Sequence, residues 1–369
     1  MATKSRLFQP LKVGDMELKH RVAMAPLTRY RATDDHVPND LMVEQYSQRA
    51  VVPGTLLISE AIDISVKQGG SNNTPGIYNE AQVEAWKKIT EVVHAKHSFI
   101  VAQLNGHGRA ATEEVAAREG FSIKSSSTIP FSGGAVPRAM TTEEVKSTIQ
   151  DFADAARNAI RAGFDAVELH GAHGRLIDQF VQSSANQRTD EYGGSIENRS
   201  RFAIEVVESV INAIGAERTA IRLSPWSRFQ DMRTSDPIPQ FTDLIQKLPT
   251  NLAYLHVTEP RVNANEDAVG GVTGSNDFIH KLWSGTYFAA GGFTPENVGH
   301  YIDELWPNKD VVIVFGRSFI ANPDLPFRLR EGIPLNPWNR SGFYVPKAAV
   351  GYVDQPYSKE FEALQGLPN

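Results

Sequence analysis

The sequence predicts an α/β protein built as one (β/α)8 TIM barrel. Three observations carry this. Eight apolar runs of strand length recur along the chain, at 21–26, 55–61, 98–104, 166–170, 218–223, 253–257, 286–290 and 311–315. Amphipathic helical stretches alternate with them, and strands this apolar, alternating with helices, belong to a parallel sheet covered by helices. Polar residues gather where the runs end, which is where parallel barrels build their sites. A doubly wound open sheet is the alternative topology.

In chain order, Leu11-Lys12-Val13, Gly14-Asp15 and Met16-Glu17-Leu18 read as a small N-terminal hairpin capping something larger. Residues 81–97 place Val83, Trp86, Ile89 and Val93 on one helical face, and residues 142–162 do so with Val145, Ile149, Phe152, Ala156 and Ile160. Further helices are expected over 196–214 and 295–305. Thr141 and Thr294-Pro295 are plausible helix starts, Gly163 and Gly215 plausible stops. Two long stretches, 106–140 after the third strand and 258–275 after the sixth, are expected as insertions on the active face, because loops of that length usually serve a site. The second includes Gly270-Gly271-Val272-Thr273-Gly274. The whole chain, 1–369, is read as one domain.

Composition narrows the function classes. The formal charge of −6 offers no broad cationic surface for nucleic acid or anionic lipid. With no cysteine, thiolate catalysis, disulfides and cysteine-ligated metals are excluded. Residues 1–6 precede no apolar segment of the kind a leader carries, and no run approaches bilayer length. A cytoplasmic monomer or homodimer acting on a small molecule is the expectation.

The strand ends form one constellation. The first strand ends in Pro26-Leu27-Thr28, the third in Gln103-Leu104-Asn105, the fourth in His170-Gly171-Ala172-His173, the fifth in Arg222, the seventh in Gly291-Gly292 and the eighth in Gly316-Arg317. Glycines and arginine after strands seven and eight suit a phosphate. An amide at Gln103 and a guanidinium at Arg222 suit a heterocycle with alternating N–H and C=O groups, such as FMN, although a sugar phosphate meets the phosphate part equally. His-x-x-His also permits a metal pair, with His107 as a third candidate, but no metal is assigned.

These residues resemble the old yellow enzymes, FMN-dependent ene-reductases, in their fungal branch. The resemblance spans nearly the whole chain. It includes 24–29, 178–180, the run Arg188-Thr189-Asp190-Glu191-Tyr192-Gly193-Gly194-Ser195, then 222–225, 316–325 and 342–344. It implies tightly bound FMN held by Pro26, Thr28, Ala61, Gln103, Arg222, Gly291, Gly292, Gly316 and Arg317, with NADPH as transient reductant. It implies that His170 and His173 bind the carbonyl oxygen of an activated alkene, with Tyr344 as an aromatic wall.

Two positions depart from the resemblance. Arg175 stands where the family has its proton-donor tyrosine, and Asn105 where it has tryptophan. A guanidinium is a poor general acid near neutrality. The expectation is a roomier, more cationic pocket, suited to a large or anionic substrate of natural-product metabolism. Tyr78 or Tyr344 is then a candidate proton source. Redox-neutral isomerisation or desaturation is the alternative outcome, with a non-catalytic ligand-binding barrel as a remote one. Arg175 turned outward onto a carboxylate is the structural alternative.

Overall fold

The computed structural model describes residues 5–263, 266–267 and 274–366. Eight parallel strands close into a barrel: β1 (Val22–Met24), β2 (Leu56–Asp63), β3 (Phe99–Asn105), β4 (Ala166–Gly171), β5 (Thr219–Leu223), β6 (Tyr254–Thr258), β7 (Tyr287–Ala290) and β8 (Val311–Phe315). Each pairs with its sequence neighbour, and β8 closes on β1. The expected (β/α)8 topology holds, and the open sheet is ruled out.

Alternation along the strands sorts side chains into two cores. Leu57, Ile100, Val167, Ile221, Leu255 and Val311 point out against the helices. Ala23, Ile58, Val101, Ala166, Ala220, Tyr254, Phe288 and Val312 point into the barrel, where Val13, Met16 and Leu18 of the N-terminal hairpin plug the end at which the strands begin. Gly14 makes the plug possible, since a Cβ there would lie 2.1 Å from the Glu217 carbonyl oxygen.

The inward positions change character along each strand. Val101 is followed by Gln103 and Asn105, Ala166 by Glu168 and His170, Ala220 by Arg222, and Tyr254 by His256 and Thr258. A period of two thus places apolar filling at one end and chemistry at the other. On β2 a register shift between Ile58 and Ala61 sets Ala61 opposite Gln103 and Asp63 opposite Asn105. This bulge re-aims both residues toward the barrel axis.

The helices Thr142–Arg161 and Ile196–Ile214 stand as expected, the former begun by a capping box between Thr141 and Glu144. The 81–97 helix runs Glu80–His94. The expected 295–305 helix is shorter: Asn297 bonds Thr294 N–H and the Gly292 carbonyl within a turn, and a π-helical segment follows over His300–Leu305. The 106–140 segment carries a helix, Glu113–Glu119, capped by Thr112 and Gly120. Of the 258–275 segment, 264–265 and 268–273 lie outside the described residues, including Gly270-Gly271-Val272-Thr273. No helix among the described residues is long and apolar enough to cross a membrane.

Two buried histidines far from the strand ends make the fold acid-sensitive. His20 accepts from Val22 N–H and pairs with Thr55 Oγ1 at 3.0 Å. His280 stacks on Trp306 at 3.7 Å and bonds the Tyr301 hydroxyl. Burial foremost pushes each from an ordinary 6.5 to about 4. A folded value below the unfolded one means this stability is fully present above pH 6.5 and lost as pH falls toward 4. Urea titrations across that window should show stability falling by up to ~2.7 kcal/mol per pH unit from the two groups together. A flat profile would contradict their neutral burial.

Candidate active site

At the carboxyl ends of the strands lies a cavity of about 860 Å³. Its wall brings together Pro26, Thr28, His170, His173, Arg175, Arg222, Gly291, Gly292, Gly316, Arg317 and Tyr344, and adds Tyr30, Phe229, Thr258, Trp338 and Phe343. Ala61, Gln103, Asn105 and Tyr78 are not among the lining residues. Gln103 and Asn105 are buried on β3, and Tyr78 packs against Gly76.

Gln103 is fixed from behind. Its Nε2 donates to Glu168 Oε1 at 2.7 Å, which leaves the amide oxygen as the group not spent on that bond. Glu168 also accepts from His256 Nδ1 at 2.8 Å. Burial pushes the Glu168 carboxyl up, but His256, Arg222 and the Gln103 amide outweigh it and hold it below the usual carboxylate range. The barrel interior therefore holds an anion beneath a cation, Arg222, whose buried Nε has no partner among the described residues. Neither Glu168 nor His256 was singled out in the sequence; a lone glutamate in the middle of the apolar β4 was the available signal.

The turn after β4 carries the two histidines on different supports. His170 lies at the end of the strand, buried, with its Nδ1 unpartnered among the described residues. His173 adopts φ 51, a conformation uncommon for a residue with a Cβ and costing about 1 kcal/mol or more. Ser224 Oγ holds its backbone N–H at 2.8 Å. Its ring lies 3.2 Å from Ser227 Oγ and 3.2 Å from Thr258 Oγ1, so both nitrogens have hydroxyl partners. The rings meet edge to face, centroids 6.5 Å apart. Burial first, then the Arg222 charge, pushes both well below the ordinary histidine range. At neutral pH they are uncharged N–H donors.

Arg175 turns inward rather than out to a surface carboxylate. It stands at the N-terminus of the short helix Leu176–Val181, and its Nη1 donates to His107 Nδ1 at 2.8 Å. His107, weighed above as a metal ligand, is occupied by that bond. Gln179 stitches this turn to the 106–140 segment: Nε2 donates to the His107 and Gly174 carbonyls, and Oε1 accepts from Arg109 N–H and Ser125 Oγ. No residue of 106–140 lines the cavity, so this insertion buttresses the wall instead of covering it. Arg29 and Arg31 secure the opposite wall, each donating to the Phe343 carbonyl at 2.9 Å. This places Tyr344 6.1 Å from Tyr30.

A match to the model of the NADH:flavin oxidoreductase / NADH oxidase family spans residues 6–336. The chain belongs to this family. It is 49% identical over 366 residues to the NADP-dependent oxidoreductase lnbE of Aspergillus flavus, covering 96% of this chain and 97% of that one. It is 49% identical over 363 residues to the chanoclavine-I aldehyde reductase fgaOx3 of Penicillium roqueforti, covering 97% and 98%. Among solved structures, the Old Yellow Enzyme from Pichia sp. AKU4542 superposes with a TM-score of 0.89 at 40% identity, covering 97% of this chain and 95% of that one. The chain is thus an FMN-dependent oxidoreductase of the old yellow enzyme type, with NADPH as its reductant.

The residues present fit FMN. The Arg222 nitrogen and the unpartnered His170 nitrogen are buried polar atoms in want of partners, and Gly291 and Gly292, both at positive φ, form a side-chain-free ledge beside Gly316 and Arg317.

Proposed function

We propose that this enzyme reduces the carbon–carbon double bond of an α,β-unsaturated carbonyl compound, an aldehyde foremost, in the making of a specialised natural product. The observation that carries the reading is the convergence of two neutral histidines and the unspent Arg222 nitrogen on one cavity. The relative described as a chanoclavine-I aldehyde reductase supports the aldehyde.

Thr28, Gln103, Arg222 and the backbone at Pro26 and Ala61 would hold the flavin ring, and Gly291, Gly292, Gly316 and Arg317 its phosphate. FMN bound there supplies hydride chemistry, with NADPH renewing it. The residues do the rest. Hydride arriving at the β-carbon builds negative charge on the carbonyl oxygen, and the neutral N–H groups of His170 and His173 would stabilise it. For His173 this means exchanging one hydroxyl partner for the substrate oxygen. Arg175 keeps its proton at any working pH, so the α-carbon takes its proton from water or from Tyr344 at the rim.

Product analysis tests this. With NADPH carrying deuterium at C4 and cinnamaldehyde as substrate, the label is expected on the β-carbon of a saturated aldehyde; label on the carbonyl carbon would overturn the reading. Arg175→Tyr is expected to raise turnover of simple enals roughly tenfold, as a restored general acid would. No gain in steady-state rate would place proton supply elsewhere.

A further inference from the structure

The two departures at Arg175 and Asn105 belong to one buried arrangement. The bulge on β2 turns Asp63 inward and sets it opposite Asn105. Asp63 Oδ2 accepts from Thr74 Oγ1 at 2.8 Å, and Oδ1 accepts from Asn105 Nδ2 at 3.3 Å and lies 3.0 Å from His107 Nε2. The other ring nitrogen of His107 accepts from Arg175. Asp63, Asn105 and His107 are all at most 1% exposed.

The chemistry of the groups dictates the protonation pattern. A guanidinium only donates, so His107 Nδ1 must carry the lone pair, and the ring proton sits on Nε2 facing the carboxylate. His107 thus stands between Arg175, to which it is hydrogen-bonded, and Asp63, whose Oδ1 lies 3.0 Å from its Nε2. Gln179 anchors the same histidine by its carbonyl. An arginine held in this way has one orientation, with Nη1 tied to the wall and the guanidinium set into the lining of the cavity beside Tyr30.

We infer that Asp63, Asn105 and His107 are positioning residues that fix Arg175 as a cation on the substrate side of the cavity, so that the enzyme selects substrates carrying a carboxylate. The inference deepens the reaction proposed above and rests on it for the identity of the pocket. A preset guanidinium loses little side-chain freedom on binding, and it offers a geometry that an amide or ester of the same shape cannot use. The wall expected to be merely small and polar at Asn105 is the far end of this support.

Calorimetric titration of the FMN-loaded enzyme with benzoate and with benzamide, which share shape and differ in charge, tests it. Benzoate is expected to bind at least about tenfold more tightly than benzamide, the scale of a charge-assisted hydrogen bond. His107→Leu and Asp63→Asn should each erode that preference, and Arg175→Leu should abolish it. Adding His107→Leu to Arg175→Leu should change nothing further, because the two act as a unit. A His107→Leu enzyme that keeps the full preference, or a parent enzyme that shows none, would overturn the inference. A parent enzyme that prefers benzoate while failing to reduce any enal would overturn the reaction and leave the anion site standing.

Discussion

Glu168→Leu is expected to cost about 3–5 kcal/mol of stability and to empty the cofactor site. Three groups depend on that carboxylate: the Gln103 amide, the His256 Nδ1–H and the charge of Arg222. Leucine leaves all three in a buried interior without that partner, and the buried guanidinium is the most expensive of them. Glu168→Gln keeps one acceptor and should fall between the two. Urea denaturation, paired with flavin content from the visible absorption of the purified protein, reads both consequences. A Glu168→Leu protein of parental stability with a full complement of flavin would contradict the account of the barrel interior.

The second large effect concerns the substrate oxygen. His170→Ala combined with His173→Ala should lower kcat/KM for an enal by about 10²–10³, the usual loss when donors to a developing oxyanion are removed. The single variants should not split this equally. His170 presents a ring with an unpartnered nitrogen, whereas His173 must release Ser227 or Thr258 to serve. The His170 variant should carry the larger loss, and steady-state kinetics of the two singles and the double decide it. Because burial and Arg222 hold both rings neutral, kcat/KM should not change through the ordinary histidine range on their account.

How far the sequence spoke follows from what kind of signal each feature leaves. The eight strands were legible because each is a mainly apolar run of strand length, and the carboxyl ends were legible because polar residues gather there. Glu168 and His256 were not, since they lie inside strands, where a polar residue reads as noise until closure of the barrel brings the two side chains together. Asp63 was hidden for another reason. Strict alternation from Ile58 would aim it outward, and only the bulge reverses its direction. Arg175 was visible as a departure, but its direction depended on His107, 68 residues earlier and in a segment expected to be irregular. Tyr78, a candidate proton source on the sequence, packs against Gly76 and is not among the residues that line the cavity.

The most direct test of the central claim is an anaerobic oxidative half-reaction. Enzyme reduced with one equivalent of NADPH is mixed with an unsaturated aldehyde while flavin absorbance is followed. Reduction of the double bond predicts that the oxidised flavin band returns in full, one saturated aldehyde formed per flavin. An aldehyde that is converted while the flavin stays reduced would contradict it and assign the enzyme to redox-neutral isomerisation.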